Sequence, residues 1–188
     1  MDARPVAAGK SSFGHIDQDL ALANIVKDTP ATYLDLACGA GNYTLALAGR
    51  VAPGSTIYAL DLWDEGIAML QEAAKQQDRA VIRAMRADMT QPLPLADGSV
   101  DVCLMATVLH DLPERRGQTL AEVKRVLAPG GAVVVIEFKK LDRGPGPGKE
   151  RRLGPEDSET LFAAYGFAAE APLDLGEFTY LIRFTAKA

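Results

Sequence analysis

Three acidic residues and a glycine-rich turn are the features of this sequence best suited to chemistry. The stretch DLACGAG places Asp35 just before Gly39 and Gly41, Asp61 follows about 20 residues after them, and Asp88 comes later. Glycine lets the backbone approach a ligand without an intervening Cβ atom. Each acid lies at or near the end of an apolar run, so the three carboxylates are expected to converge at the sheet edge where ligands of open sheets bind.

The positions of these acids favour one kind of ligand over another. A dinucleotide would use Asp61 through its ribose hydroxyls, but Asp35 would repel its pyrophosphate. The dinucleotide pattern G-x-G-x-x-G is also broken, because Thr44 stands at its third glycine. S-adenosylmethionine carries a ribose diol, an adenine amino group and two positive centres, and it has no phosphate. The sequence therefore predicts an S-adenosylmethionine site, with an NAD-dependent oxidoreductase as the remote alternative.

Alternating strand and helix patterns position these residues. Apolar runs predict strands over 31–37, 55–61, 81–88 and 100–106, and a fifth strand that begins after the PGG that closes the preceding helix and ends at Phe138. Helical spacing predicts helices over 16–28, 42–51, 63–77 and 113–127. Strands and helices that alternate with short linkers predict a parallel sheet covered by helices on both faces.

The last third of the chain has a different character. Residues 139–157 are rich in Gly, Pro and charge, which predicts a mobile surface loop. Its basic residues are interpreted either as a solvated face or as a means of steering an anionic substrate; this basic cluster consists of Lys139, Lys140, Arg143, Lys149, Arg151 and Arg152. A helix that starts at Ser158 and ends at Gly166 follows, and then two strands joined through Gly176, so the last strand should be antiparallel. We expect one domain over 1–188, in which 1–28 form an N-terminal helix or lid and Phe13 and His15 are candidate lid residues.

Composition and charge exclude several classes of partner. The 188 residues carry a net charge of -5, so the chain lacks the overall positive charge that attracts nucleic acid, and a small molecule is the expected substrate. Two cysteines and two histidines are too few and too scattered for a zinc site, and no metal ligands are predicted. No secretory signal and no apolar run of about 18 residues is evident, which predicts a cytoplasmic protein with no membrane span. The oligomeric state is left open.

From residue 31 onward the sequence resembles a known family. DLACGAG, ALD ending at Asp61, RADM around Asp88, DGSVDVCLMATVLHDL and RVLAPGGAVVVIEF resemble the motifs of class I S-adenosylmethionine-dependent methyltransferases. Within that class the chain is similar to the small-molecule branch typified by ubiquinone/menaquinone-biosynthesis methyltransferases, although Ala37 replaces the first glycine of the commoner motif. The resemblance implies an α/β, three-layer Rossmann-like sandwich with a seven-stranded, mostly parallel sheet and an antiparallel last strand.

The resemblance also implies roles for individual residues. Asp61 would hold the ribose hydroxyls and Asp88 the adenine amino group, with Met89 beside the ring. The turn after Asp35 would lie under the methionine part, and the end of the fourth strand would lie near the methyl group. The cofactor-binding residues expected on this basis are Asp35, Ala37, Cys38, Gly39, Gly41, Asp61, Leu62, Ala87, Asp88, Met89, Met105 and Ala106.

The implied reaction transfers a methyl group in line to an unidentified small-molecule acceptor and leaves S-adenosylhomocysteine. His110 follows the fourth strand and is the candidate general base, although it is equally interpreted as a packing residue under the next helix. Cys38 is interpreted as filling a small-residue slot rather than as a nucleophile. A domain that binds the cofactor without turnover, as a sensor or partner subunit, is the main alternative function.

Overall fold

The computed structural model describes residues 8–187. Its single sheet contains the strands β1 (Thr32–Leu36), β2 (Ser55–Asp61), β3 (Ala80–Arg86), β4 (Val100–Ala106), β5 (Leu127–Phe138), β6 (Phe167–Ala169), β7 (Leu173–Asp174) and β8 (Thr179–Ala186). The α-helices are α1 (Gln18–Ile25), α2 (Asn42–Ala48), α3 (Asp64–Ala74), α4 (Arg116–Val126) and α5 (Pro155–Ala164). Short 3₁₀ turns cover Phe13–His15, Leu109–Asp111 and Lys149–Arg151.

The order of the strands creates a crevice at the centre of the sheet. The order is β3-β2-β1-β4-β5-β8-β6, with β7 paired to β8. Strands β1 to β5 are parallel, whereas β8 is antiparallel to β5. The chain order reverses between β1 and β4, and ligands of open sheets bind beyond the carboxyl ends of the strands at such a reversal.

Alternation along the strands divides the core between two faces. On one face Leu34, Cys103 and Val135 belong to a buried cluster that also contains side chains from α4 and α5. On the other face Tyr33 and Val134 belong to a cluster with side chains from α1 and α2. Successive strand residues point to opposite faces, so nearly continuous apolar runs are what a sheet covered on both sides requires. The predicted three-layer α/β sandwich and its antiparallel last strand are confirmed.

Two details of the sheet differ from the sequence-based expectation. Strand β5 begins at Leu127 rather than after the glycine pair, and its pairing with β4 is irregular between Val100 and Val102. A Cβ atom on Gly131 would lie 2.9 Å from the Ala128 carbonyl oxygen, so this irregular stretch needs glycine. The predicted strand at 168–175 is divided into β6 and β7, both antiparallel to β8, so residues 8–187 contain eight strands.

The segment between β5 and α5 is shorter than the predicted loop over 139–157. Helix α5 begins at Pro155, three residues before the expected start, and the Asp157 carboxylate accepts a hydrogen bond from Gly154 N at 2.7 Å. Proline at the first position and an acid in the first turn are typical helix-start signals. The mobility of the segment stays a prediction.

Candidate active site

One large cavity lies beyond the carboxyl ends of β1, β2 and β4. Its volume is about 1000 Å³, at the upper limit of common ligand pockets and large enough for a cofactor together with a second small molecule. Nine of the thirteen residues singled out from the sequence line it, namely Ala37, Gly39, Asp61, Leu62, Ala87, Asp88, Met89, Ala106 and His110. The remaining four, Asp35, Cys38, Gly41 and Met105, lie beside it or in the core.

Asp61 is the most firmly positioned carboxylate on the cavity wall. Its Oδ2 atom accepts a hydrogen bond from Gly39 N at 2.8 Å, and its Oδ1 atom accepts one from Trp63 N at 2.8 Å. Because each carboxylate oxygen can accept more than one bond, both oxygens retain capacity toward the cavity. This arrangement matches what a pair of vicinal ribose hydroxyls would require.

Asp88 lies on the same wall, next to Met89 and Thr90. The Oδ1 atom of Asp88 accepts hydrogen bonds from Thr90 N at 2.8 Å and Thr90 Oγ1 at 2.7 Å. Arg115 Nη1 donates to the same hydroxyl at 3.2 Å. These bonds fix the carboxylate beside the Met89 side chain, so a polar acceptor and an apolar surface are presented together.

Asp35 is close to the cavity but does not line it. Its side chain is 1 % exposed, and its Oδ2 atom accepts a hydrogen bond from Thr44 Oγ1 at 2.6 Å. Burial raises the pKa of Asp35 to about 6, against which the Thr44 bond acts, while the nearby Asp61 charge raises it further. The predicted contact of Asp35 with the cofactor is not direct in this arrangement, because its side chain points under α2.

Two glycines of the glycine-rich turn have different surroundings: Gly39 borders the cavity and Gly41 lies against the core. Gly39 has a positive φ of +56°, and a Cβ atom added to it would meet nothing within 4 Å, so its cavity side is open to a ligand. At Gly41, with φ +86°, a Cβ atom would lie 2.4 Å from Leu70 Cδ1. Gly41 therefore allows α2 to pack on α3 instead of lining the cavity.

Two non-glycine residues at the strand tips hold left-handed backbone conformations. Ala37 follows β1 with φ +67°, and Thr107 follows β4 with φ +51°. Both line the cavity. Such conformations are unfavourable for residues with a Cβ atom and persist where surrounding contacts fix them, often at functional sites. For Thr107 these contacts include a hydrogen bond from its backbone N to the Ile136 carbonyl at 2.7 Å.

Met105 and Cys38 were expected beside the cofactor, and neither lines the large cavity. Met105 is fully buried in the cluster with α4 and α5, because its position in the strand alternation points it away from the face of Leu104. Cys38 lines a small cavity of about 60 Å³ that adjoins the large one and shares Ala37, Gly39 and Ala106 with it. Burial raises the pKa of the Cys38 thiol far above its usual range, which agrees with a packing role.

His110 lies in the cavity wall on the 3₁₀ turn after β4, and it pairs with a residue that the sequence motifs left without a role. Its Nδ1 atom is 2.8 Å from Glu137 Oε2, at the end of β5. Glu137 is 0 % exposed, and its Oε1 atom also accepts a hydrogen bond from Leu109 N at 2.9 Å. The only sequence signal for Glu137 was a single acid at the end of the apolar run AVVVIEF.

The N-terminal segment borders the cavity. His15 lines it, and Ser12 is held by Tyr43 Oη at 2.9 Å and Thr107 Oγ1 at 3.1 Å. Phe13 packs edge-on against Tyr43, with the ring centroids 4.9 Å apart. The part of the predicted lid over residues 1–7 lies outside the described residues, and a lid function stays a prediction.

The segment after β5 forms the opposite wall and is organised by one buried arginine. Arg152 is 4 % exposed, and its guanidinium donates to four backbone carbonyls. These carbonyls belong to Lys139, Arg143, Pro145 and Pro147, at 2.8–3.2 Å. Pro145, Gly146 and Pro147 line the cavity as a result. The interpretation of all the basic residues as a solvated face is therefore wrong for Arg152.

Other members of this basic cluster are paired with acids. Lys139 bonds Asp174 at 2.8 Å, Lys140 bonds Asp157 at 2.7 Å, and Arg151 bonds Asp111 at 2.5 Å. Arg151 also lines the cavity. Substrate steering by this cluster stays a prediction.

The described residues contain neither a metal-binding cluster nor a membrane-spanning helix. Within residues 8–187, no group of three or more His, Cys, Asp and Glu side chains is arranged to hold a metal ion. No helix in the same part of the chain is long and apolar enough to cross a membrane.

The strand order and the strand-tip cavity are those of a Rossmann-like α/β protein that binds a ligand at the reversal of its sheet. Residues 34–135 match the family model described as "Methyltransferase domain", which is more than half of the chain. The chain therefore belongs to this methyltransferase family. S-adenosylmethionine is the cofactor that the family implies, and the paired bonds of Asp61 and the open side of Gly39 fit its ribose and its close approach to the turn.

Similar proteins agree with this assignment. A demethylmenaquinone methyltransferase of Lactiplantibacillus plantarum is 34% identical over 123 residues, which are 65% of this chain and 51% of that protein. One of Thermus thermophilus is 35% identical over 126 residues, covering 67% and 54%. The chain thus spans about half the length of these relatives. A solved SAM-dependent methyltransferase of Aquifex aeolicus has a TM-score of 0.83 at 23% identity and covers 95% of this chain and 94% of its own, which shows the fold alone.

The resemblance to class I methyltransferases of the quinone-biosynthesis branch is confirmed by these matches. The roles of individual site residues stay predictions.

Proposed function

We propose that this chain catalyses methyl transfer from S-adenosylmethionine to a small molecule bound in the same cavity. The observation that carries the proposal is the Asp61 carboxylate, fixed by the backbone N–H groups of Gly39 and Trp63 on a wall shared with Asp88. When bound, S-adenosylmethionine supplies a methyl group on a sulfonium, which is a good leaving group. The alternatives of a silent cofactor-binding module and of an NAD-dependent oxidoreductase have no observation in their favour.

The protein's part in this reaction is mainly to position the reactants and exclude water. Asp61 and Asp88 would hold the nucleoside, while Leu62, Trp63 and Met89 would cover its apolar surfaces. Correct placement of two reactants contributes effective molarities on the order of 10⁵ M or more. His110 would receive the proton that a hydroxyl group of the acceptor loses when the acceptor attacks the methyl group.

The wall around His110 supports an apolar, ring-like acceptor. Its neighbours in the cavity include several apolar side chains, namely Val108, Leu112, Pro113, Phe138, Pro145 and Pro147. Such surfaces suit a flat ring system with few charges. The relatives named demethylmenaquinone methyltransferase make demethylmenaquinone, reduced to its hydroquinone so that it carries hydroxyl groups, the first acceptor to test. A cytoplasmic location stays a prediction.

Calorimetry with S-adenosylhomocysteine tests the cofactor site. Asp61→Asn should weaken binding about 10- to 100-fold, because a hydrogen bond to a charged group contributes about 1.5–3 kcal/mol. Asp64→Asn, an exposed acid three residues away, is the matched control and should bind as the wild type does. No binding by the wild type at millimolar ligand, or equal affinity in Asp61→Asn, would count against the proposal.

A transfer assay tests the reaction itself. Methyl-labelled S-adenosylmethionine is incubated with the protein and demethylmenaquinone kept in its hydroquinone form by a chemical reductant, and separately with a metabolite extract. Label in an extracted small molecule supports the proposal. Cofactor binding without transfer to any component would instead favour the silent module.

A further inference from the structure

The buried pair of His110 and Glu137 has a geometry that packing alone does not require. His110 is 6 % exposed and Glu137 is 0 % exposed, so water contributes little to either side chain. Burying a carboxylate is costly unless it is paired and hydrogen-bonded. A glutamine at position 137 could accept the hydrogen bond from Leu109 N equally well. The distinguishing property of the carboxylate is that both of its oxygens accept and neither donates.

Both oxygens of Glu137 are used as acceptors. Oε1 accepts from Leu109 N at 2.9 Å and from His110 N at 3.4 Å. Oε2 accepts from Phe138 N at 3.3 Å and lies 2.8 Å from His110 Nδ1. A carboxylate at this distance requires a proton on Nδ1, which leaves the other ring nitrogen, Nε2, as the one with a lone pair.

We propose that Glu137 is a positioning residue that holds His110 in the Nδ1–H tautomer, so that Nε2 is the proton acceptor of the reaction. The catalytic part of this inference rests on the proposed methyl transfer, whereas the tautomer does not. The hydroxyl proton of the acceptor passes to Nε2, and the O–H electron pair remains on the acceptor, which attacks the methyl carbon through that oxygen or through a ring carbon conjugated with it. The resulting imidazolium lies between Glu137 and Asp111, whose Oδ2 atom is 3.7 Å from Nε2.

The surroundings of His110 support a fixed orientation. Asp111 is itself held by Arg151 Nη2 at 2.5 Å. The Phe138 ring packs against the imidazole, with the ring centroids 5.8 Å apart. The ring is therefore fixed from β5, from its own turn and from the segment organised by Arg152. A base that acts through Nε2 needs this kind of fixed orientation and tautomer.

Nitrogen NMR tests the tautomer directly, without any acceptor. The chain has two histidines, so a long-range ¹H–¹⁵N spectrum of labelled protein contains two imidazole patterns, and His15→Gln assigns them. At a pH where His110 is neutral, we expect a protonated Nδ1 and an unprotonated Nε2. A proton on Nε2 in the wild type overturns the proposal, and this measurement needs no variant at position 137.

The variant Glu137→Gln adds a second readout. The amide oxygen should stay with Leu109 N, so its NH₂ group faces His110 Nδ1 and the ring proton moves to Nε2. We expect kcat to fall about 10²-fold, the lower range for loss of a general base, with little change in S-adenosylhomocysteine affinity. Glu170→Gln, an exposed acid beyond the cavity, is the matched control and should retain the wild-type tautomer and kcat.

The outcomes separate this inference from the proposed function. Added to His110→Gln, Glu137→Gln should lower kcat no further, since it acts through the imidazole. A loss of affinity and kcat together with an unchanged tautomer would assign Glu137 a structural role only and overturn the inference. Failure of the wild type to bind S-adenosylhomocysteine would refute the proposed function, while the tautomer measurement would remain decisive for the His110–Glu137 pair.

Discussion

The buried acid before the glycine-rich turn makes stability depend on pH in a defined direction. The pKa of Asp35 is raised to about 6 because its side chain is buried, whereas 3.8 is the ordinary value. Between these values the folded protein holds a proton that the unfolded chain has released. The stability contributed by the neutral acid is therefore fully present below pH 3.8 and is lost as the pH rises through about 6.

Asp35→Asn removes this dependence. At 1.36 kcal/mol for each pH unit, the difference between 3.8 and about 6 amounts to about 3 kcal/mol. The amide oxygen can still accept the hydrogen bond from Thr44 Oγ1. Relative to wild type, the variant should gain about 3 kcal/mol of unfolding free energy at about pH 8 but only about 1 kcal/mol at about pH 4.5. Any pH-independent effect of the amide cancels in the difference, which is about 2 kcal/mol.

Urea unfolding of both proteins at the two pH values measures this difference. Asp28→Asn, at an exposed acid, is the control for removing one negative charge from a chain of net charge -5. A gain that is equal at both pH values, or larger at the lower one, would refute the account of Asp35 as a buried acid that resists ionisation. The same variant tests the predicted cofactor contact, and because Asp35 does not line the cavity, it should weaken S-adenosylhomocysteine binding less than Asp61→Asn does.

Three further substitutions test the strain, the loop and the core. Ala37→Gly should raise the unfolding free energy by about 0.5–1 kcal/mol in urea, because it relieves about 1–2 kcal/mol of strain at a positive φ and this exceeds the cost of glycine's greater chain entropy in the unfolded state. A destabilised variant would contradict this. Arg152→Met should speed tryptic cleavage after Arg143 about 10-fold or more, because the backbone carbonyls of the segment between β5 and α5 lose the hydrogen bonds from this charged donor. An unchanged cleavage rate would show that other contacts hold the segment. Phe162→Ala should lower the unfolding free energy by about 3–5 kcal/mol, because the Phe162 ring is fully buried and stacks on the Phe184 ring with the centroids 4.0 Å apart. Phe162→Leu should lower it much less, since most of the buried volume is kept. Similar losses for the two variants would contradict tight packing around Phe162.

Local signals in the sequence predicted most of the sheet. Strand β2 matches the predicted range 55–61, and β3 and β4 lie within two residues of theirs. Helix ends were less certain, since the helix expected from Pro113 begins at Arg116 after a 3₁₀ turn. Hydrophobic periodicity predicts a helix or strand from a short stretch of sequence, but it carries no information on the tertiary contacts that decide where each element ends.

The site residues also fall into two groups, those that local sequence signals predicted and those that tertiary contacts decided. Asp61 and Asp88 were predictable as cavity residues because each comes at or just after the end of a strand, and strand ends share one edge of a parallel sheet. Met105 was placed near the methyl group from its position in a motif, yet strand alternation turns its side chain into the core. Gly41 was expected beside the ligand, but a glycine is needed at this position because the Leu70 side chain occupies the space where a Cβ atom would lie.

By itself, the sequence determined the alternating α/β order, the glycine-rich turn and the acids at the strand tips, because each is encoded in residues close together along the chain. Only the tertiary structure decided which side chains meet across longer separations. Glu137 reaches His110 across 27 positions, and Arg152 gathers carbonyls from a segment that looked like a solvated loop. These pairings depend on how strands and turns are placed side by side, and residue type and spacing do not encode that placement.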